Sequence, residues 1–215
     1  MRRSICIWSS GGAAKERNLL KANNTRIDPI MLDFPEAFET ERLLIRAPRP
    51  GDGAELNAAI RESQKELAPF MPFARVLPKP EETEALVRRR RLHFLDRSDM
   101  MMLMTDRATG RILGSSGLHR MNWDVRRFEI GYWIRTSRAG EGLVTEAVHG
   151  LTDYAARFLD ANRIEIRCDD RNLKSAAVAE RAGFTLEGVL RNWVREEDGT
   201  LVNEMVFAKI RGIDF

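Results

Sequence analysis

The chain has 215 residues, of which 43% are hydrophobic, so it is long enough for one domain with a real core. Its 35 basic and 32 acidic residues nearly balance, and no basic stripe is interleaved with aromatic residues, so we expect no nucleic acid partner. No apolar run reaches the roughly 18 residues of a membrane span, and the two cysteines and three histidines are too scattered for a metal site. These features favour a metal-free cytoplasmic protein without a membrane anchor.

The N-terminal segment differs in character from the rest of the chain. Residues 1–35 are polar and weakly periodic, as in Ser9–Gly12 and Lys21–Asn24, which is typical of a flexible extension. Hydrophobic patterning begins near Thr40, and Leu43–Ile45 predicts the first strand. We therefore place the folded domain at residues 36–215.

Two segments follow whose roles the residues leave open. Leu67–Ala74 mixes proline with Phe70, Met71 and Phe73, which breaks regular structure and keeps apolar groups available. The segment either lines a substrate mouth or forms a buried connector. The next helix, over Glu81–Asp96, carries four successive arginines, Arg88–Arg91, a charge run that is usually a solvated helix face.

The remaining elements predict an α+β fold. The turn residues of Asp106–Gly110 predict a hairpin, and later apolar runs alternate with helical patterns. The predicted strands are Met100–Thr105, Ile112–Leu118, Phe128–Ile134, Ile164–Cys168, one starting at Phe184 and Leu201–Ile210, and the predicted helices begin at Leu143 and after Asn172. This order predicts a single domain with a mixed, mostly antiparallel sheet flanked by helices.

The join between Phe128–Ile134 and the helix at Leu143 contains a short loop with two glycines. Gly140 and Gly142 allow close approach of a ligand to the backbone, and the free amides that open a helix attract an anion. The pattern predicts an anionic cofactor site, although an ordinary glycine turn has the same spacing.

Four blocks in order carry a family resemblance: Glu39–Leu43, Glu129–Trp133, Gly140–Ala147, and Asn172–Ser175 continuing through Glu180–Phe184 to Glu187 and Gly188. With them, the chain from Thr40 to Ile210 resembles the GNAT superfamily of acetyl-CoA-dependent N-acetyltransferases. It is most similar to the RimJ/RimL branch, which acetylates N-terminal amines of ribosomal proteins. The resemblance implies a GNAT-like domain that uses acetyl-CoA as co-substrate and needs no metal.

The resemblance also implies where acetyl-CoA binds. The backbone from Arg138 to Val144 would wrap the pyrophosphate, and the strand edge at Trp133 and Ile134 would pair with the pantetheine arm. The implied cofactor-binding residues are Trp133, Ile134, Arg138, Ala139, Gly140, Glu141, Gly142, Leu143, Val144, Thr145 and Asn172. Ser137 stands where the family usually has Gln or Arg, but Arg135 and Arg138 are close enough in sequence to supply positive charge.

Two residues are implied in catalysis. Glu129 is the candidate base, because burial in an apolar strand raises the pKa of a carboxyl toward working pH; alternatively it is a structural glutamate paired with a nearby arginine such as Arg126 or Arg127. Ser175 is the candidate partner of the CoA sulfur, because Ala179 occupies the position of the usual tyrosine acid. Asn172 and Ser175 at this spacing also suit a helix cap.

The leading hypothesis is acetyl transfer to a protein N-terminal α-amine by direct attack, since Cys168 lies in an apolar strand and is a poor nucleophile candidate. Phe70, Met71 and Phe73 would border the acceptor groove. A small-molecule amine, such as a polyamine, amino acid derivative or antibiotic, is an alternative acceptor. A non-catalytic CoA-binding module is a further alternative. We expect a monomer or a homodimer.

Overall fold

The computed structural model describes residues 28–215. Most of the extension predicted at residues 1–35 therefore lies outside the described residues. The chain divides into Met1–Leu32 and a compact unit, Asp33–Phe215. That unit begins slightly earlier than residue 36, because Phe34 packs edge-on against Phe94 and a strand over Ala37–Glu39 precedes the strand predicted at Leu43.

The unit Asp33–Phe215 contains eight strands and five α-helices. The strands are β1 Ala37–Glu39, β2 Leu43–Arg46, β3 Met100–Asp106, β4 Ile112–Asn122, β5 Arg127–Ile134, β6 Arg163–Asp169, β7 Thr185–Arg195 and β8 Leu201–Ile210. The helices are α1 Gly53–Glu62, α2 Gln64–Leu67, α3 Pro80–Leu95, α4 Leu143–Phe158 and α5 Leu173–Arg181, with single 3₁₀ turns at Pro72–Ala74 and Thr136–Arg138. The predicted hairpin and both predicted helix starts are confirmed.

All eight strands form one sheet in the order β1-β2-β3-β4-β5-β6-β8-β7. Neighbouring strands are antiparallel except β5 and β6, which are parallel because α4 carries the chain across between them. The predicted α+β domain with a mixed, mostly antiparallel sheet is confirmed.

Helices cover both faces of the sheet. On one face α4 and α5 pack through residues such as Leu151 and Ala179 onto Phe128 and Ile130 of β5. On the other face Leu56 of α1 belongs to a second apolar cluster that includes Trp133. Because side chains alternate along a strand, Glu129, Gly131 and Trp133 share the α1 face, and Ile130 and Tyr132 share the α4 face.

The arginine run on α3 is largely paired. Arg88 bonds Glu84 one turn earlier, Arg90 lies 3.2 Å from Asp99, and Arg91 forms two 2.7 Å bonds to Glu36. This agrees with the interpretation of the run as a helix face. Over residues 28–215, no helix is both long enough and apolar enough to cross a membrane.

Candidate functional site

The central feature of the site is a fork between the two parallel strands. Strands β5 and β6 pair only from Arg127–Glu129 to Arg163–Glu165. Beyond this point β5 stays paired with β4 up to Ile134, and β6 stays paired with β8 up to Asp169. Backbone groups of Ile130–Ile134 that point toward β6 therefore face a gap, which can receive an extended polar chain much as a sheet edge receives an added strand.

The loop after β5 is attached to helix α1. Ser137 donates from its hydroxyl to Glu62 at 2.5 Å, and the amide of Thr136 donates to Ser63 at 2.9 Å. The hydrogen bond from Ser137 is the main reason why the pKa of Glu62 lies below its usual value. Ser137, which departs from the loop pattern that the resemblance implies, thus has a structural partner.

Arg135 does not supply charge to the loop, contrary to the expectation from its position. Its side chain is buried, where it donates to the carbonyl of Ile112 at 2.7 Å and to Glu62 at 2.7 Å. The ion pair with Glu62 offsets the positive charge of this guanidinium inside the protein. Arg138 lies at the surface of the loop, and it is paired with Glu141 at 2.8 Å and Asp106 at 3.1 Å.

The glycine loop has the conformation that the sequence predicts. Gly140 and Gly142 have φ of +84° and +78°, in the left-handed region that other residues rarely adopt. The first hydrogen bond of α4 runs from the amide of Glu146 to the carbonyl of Gly142, so the amides of Leu143, Val144 and Thr145 precede it and are left without an intrahelical acceptor. They carry the positive end of the helix dipole.

A buried orphan hydroxyl lies in this helix turn. Oγ1 of Thr145 is buried and has no hydrogen-bond partner among the described residues. Buried polar groups are nearly always satisfied, so this atom indicates a ligand oxygen or water next to the free amides. The residues present therefore fit a phosphate ester at the loop.

Glu129 lies at the inner end of the fork, in the last pair that joins β5 to β6. Its carboxylate is 3.2 Å from Arg120 and 3.6 Å from Arg167, so it has arginine partners, as the structural alternative expects, although they are not Arg126 or Arg127. Burial raises the pKa of Glu129, and the charges of the two arginines only partly offset it. Such a carboxyl has the character of a general base.

Glu165, the residue of β6 that pairs with Glu129, has a pKa shifted in the opposite direction. Glu165 accepts from Arg163 at 2.6 Å and from Arg167 at 3.0 Å. Although burial acts to raise it, these two charged donors hold the pKa of Glu165 below its usual value. Glu165 is thus a structural carboxylate beside a candidate base.

On the α4 face, Ser175 lies next to a tyrosine to which sequence analysis assigned no role. The Tyr132 hydroxyl donates to the Ser175 carbonyl at 3.1 Å and lies 3.0 Å from its Oγ. Burial raises the pKa of Tyr132 to about 12, so it stays protonated. The alternation of β5 already places Tyr132 opposite to Trp133, but only the packing of α5 brings it to Ser175.

Two further residues of the site lie near Ser175. Asn172 accepts from the Ser175 amide at 3.1 Å and so caps α5, which is the structural role that its spacing allows. Burial raises the pKa of the Cys168 thiol, which disfavours the reactive thiolate.

The proline-aromatic segment contributes to the wall of a surface cavity of about 470 Å³. Of its three predicted substrate residues, Phe70 lines the cavity, whereas Met71 packs against the α1 cluster and the ring of Phe73 lies 6.0 Å from that of Trp133. The opposite wall is the turn between β7 and β8, which sequence analysis missed. The lining residues are Ala68, Pro69, Phe70, Arg75, Arg171, Glu196, Glu197, Asp198 and Thr200.

A forked strand pair, a glycine loop and a helix N-terminus in this order define the class of fold expected of an acetyl-CoA-dependent acetyltransferase. The family model of the acetyltransferase (GNAT) domain matches residues 42–185. YdaF of Bacillus subtilis strain 168, a candidate ribosomal N-acetyltransferase, is 34% identical over 168 residues, which are 77% of this chain and 86% of the relative. The chain therefore belongs to the GNAT family and is an acetyl-CoA-dependent N-acetyltransferase.

Two solved structures show the same fold. RimL, a ribosomal L7/L12 alpha-N-protein acetyltransferase in complex with coenzyme A, has a TM-score of 0.75 at 24% identity over 81% of this chain and 98% of its own. The microcin C7 self-immunity acetyltransferase MccE, in complex with acetyl-CoA and AMP, also has a TM-score of 0.75, at 21% identity over 82% of this chain and 97% of its own. The similarity to the RimJ/RimL branch is confirmed.

Proposed function

We propose that this enzyme transfers the acetyl group of acetyl-CoA to the N-terminal α-amine of a protein by direct attack. The observation that carries the proposal is the fork: β5 and β6 separate directly after Glu129, so a carboxylate with a raised pKa lies at the inner end of a gap between two strands. RimL is named as an α-N-protein acetyltransferase and YdaF as a candidate ribosomal one, which supports a protein acceptor.

The electrostatics support an α-amine in particular. At pH 7 roughly a tenth of α-amines are neutral, against fewer than about one lysine side chain in a thousand. The pKa of an α-ammonium is therefore closer to that of a carboxylate base than the pKa of a lysine side chain is, and less free energy is needed to remove its proton.

We assign the glycine loop to the donor. The amides and Thr145 Oγ1 would bind the pyrophosphate, with Arg138, Ala139, Gly140, Glu141, Gly142, Leu143 and Val144 forming the loop around it. The β5 edge would bind the pantetheine arm through the backbone of Trp133 and Ile134, because the Trp133 side chain is buried. The Asn172 side chain already caps α5, so we assign it an indirect role in placing Ser175.

The reaction needs protein groups at two atoms, the nitrogen of the acceptor and the sulfur of CoA. Acetyl-CoA supplies the activated acyl group as a thioester. Glu129 accepts a proton from the acceptor ammonium, and the Ser175 hydroxyl, held by Tyr132, donates a hydrogen bond to the departing sulfur.

An acceptor screen tests the proposal. The enzyme and acetyl-CoA are incubated with short peptides that begin with Ser or Ala, with the same peptides blocked at the N-terminus, and with polyamines and aminoglycosides. Mass spectrometry should find a single acetyl group on the α-amine of unblocked peptides only. Acetylation confined to the small amines would replace the proposal by the small-molecule alternative, and tight CoA binding without any product would favour a non-catalytic module.

A further inference from the structure

A histidine and a half-buried aspartate form a pair on the acceptor side that the mechanism above does not use. His119 of β4 contacts Asp99, which precedes β3, through Nδ1 and Oδ2 at 2.8 Å. Asp99 is itself held, because its Oδ1 accepts from the amide of Met101 at 3.1 Å and lies 3.2 Å from Arg90. An ionised aspartate accepts, so His119 donates to Asp99 through Nδ1, and in the neutral ring Nε2 is the nitrogen with a free lone pair.

The pair lies beside the inner end of the fork. His119 is directly opposite Glu129 in the register of β4 and β5, so both side chains are on the α1 face. The imidazole lies across β5: a methyl group added at Gly131 would be 3.0 Å from Cδ2 and 3.3 Å from Nε2 of His119. Gly131 is the second residue beyond the last pair of β5 with β6. Nε2 therefore reaches the place where the strands separate.

Two protons leave the acceptor nitrogen during the reaction. When an ammonium group becomes an amide, the nitrogen loses two protons, one before the N–C bond forms and one as the C–S bond breaks and the thiolate leaves with its electron pair. A carboxylate that has accepted the first proton cannot take the second until it has passed the first on. One of the two protons finally reaches the thiolate and the other reaches solvent.

We propose that His119, oriented by Asp99, is the second proton acceptor of the reaction, receiving at Nε2 the proton that the nitrogen loses when the C–S bond breaks. This inference rests on the proposed function and deepens it. Glu129 takes the first proton, and Asp99 stabilises the imidazolium that forms. The His119 side chain is 28% exposed, so the imidazolium can release its proton to water.

The charges around the ring agree with this role. The charged groups that face His119 are Asp99, Glu129 on β5, Arg90 of α3 through Asp99, and its neighbour Arg120, which bonds Glu129. Although burial opposes it, the bond from His119 and the positive charges nearby hold the pKa of Asp99 below its usual range. Asp99 thus remains an anion whenever Glu129 is able to act.

The test is His119→Asn, compared with His149→Asn as a matched control, because His149 is an exposed residue of α4 outside the site. With acetyl-CoA and a Ser- or Ala-initiated peptide, we expect kcat of His119→Asn to fall about 100-fold, as for loss of an acid–base group, while the KM for acetyl-CoA stays the same. The rise of log kcat with pH should be steeper in wild type than in the variant. Added imidazole should restore part of the rate, and His149→Asn should match wild type.

Asp99→Asn is the second variant, and it retains the ring. An asparagine amide donates to Nδ1 and so favours the tautomer with Nε2 protonated, which removes the acceptor lone pair. We expect about a 10-fold lower kcat and the same loss of slope, as for a positioning residue. Thermal unfolding of both variants is measured alongside.

Three results overturn the inference. An unchanged kcat and pH profile in His119→Asn, with wild type active, removes His119 from the reaction but leaves the proposed function intact. A lower kcat with an unchanged slope and no rescue by imidazole shows a merely structural role. A wild-type enzyme that acetylates none of the amines overturns the proposed function and this inference together.

Discussion

Glu129 and Glu165 form the last residue pair between β5 and β6, and substituting each in turn distinguishes an effect on catalysis from an effect on stability. Glu129→Gln removes the candidate base, and Glu165→Gln is its matched control in the same register pair. Loss of Glu129 leaves no buried cation without a partner, because Arg120 is 63% exposed and Arg167 keeps Glu165 at 3.0 Å and Glu204 at 3.2 Å. We therefore expect Glu129→Gln to fold normally.

We expect Glu129→Gln to affect mainly kcat and Glu165→Gln to affect mainly the free energy of unfolding. A general base contributes about 10²–10⁴-fold, so Glu129→Gln should lower kcat by that factor, or about 3–5 kcal/mol of transition-state stabilisation. Its stability at pH 7 should equal or exceed that of wild type. Glu165→Gln removes two charge-assisted bonds from a buried site and should lower the free energy of unfolding by about 2–4 kcal/mol.

The pH dependence of stability has opposite signs for the two residues. Burial raises the pKa of Glu129. The contribution of Glu129 to folding stability is therefore fully present below its pKa in the unfolded chain and is lost as pH rises through its pKa in the folded protein. Arg163 and Arg167 lower the pKa of Glu165 despite its burial, so its contribution is present above the unfolded pKa and is lost as pH falls through the folded value. The deficit of Glu165→Gln should therefore shrink in acid.

The assays are thiol release from acetyl-CoA with a peptide acceptor, and urea unfolding at several pH values. The reasoning is refuted if Glu129→Gln keeps kcat within about threefold of wild type, since a general base contributes far more. It is also refuted if Glu129→Gln loses more stability than Glu165→Gln, because Glu129 would then be the structural carboxylate.

Three further substitutions probe the rest of the site. Thr145→Val removes the unpaired Oγ1, so the ligand-free protein should be at least as stable as wild type. The affinity for CoA, measured by calorimetry, should fall about 3–10-fold. An unchanged affinity would show that this hydroxyl does not contact the phosphate. Tyr132→Phe removes the hydrogen bonds to Ser175 and should lower kcat about 10-fold at an unchanged Kd for CoA. The free energy of unfolding should fall by about 1 kcal/mol. A change in Kd alone would show that Tyr132 serves CoA binding. Glu146→Gln should cost about 1–3 kcal/mol in urea unfolding at pH 7, because Glu146 accepts from Thr40 at 2.6 Å and from Arg42 at 2.7 Å. These bonds lower the pKa of Glu146 against its burial, so the contribution of Glu146 to stability is present above the unfolded pKa, and the deficit should narrow as pH falls through the folded value. A deficit that does not change with pH would show that these bonds do not stabilise the ionised carboxylate.

The parts of the site that depend on local chain geometry could be predicted from the sequence. Gly140 and Gly142 adopt positive φ because only glycine does so without strain, and Asn172 caps α5 because its side chain reaches an amide three residues later. Alternation and helical periodicity likewise predicted β5, α4 and the sheet class. These features depend on interactions within a few residues, which a sequence displays directly.

Only the tertiary structure decided which distant charges meet. Arg135 precedes the glycine loop in sequence, yet it pairs with Glu62 of α1, and Glu129 pairs with Arg167 of the neighbouring strand and not with Arg126. Strand register and helix packing also bring Tyr132 to Ser175 and His119 to Asp99. A partner's identity, and with it the pKa of a buried group, depends on separations set by the whole sheet, and no local pattern encodes those distances.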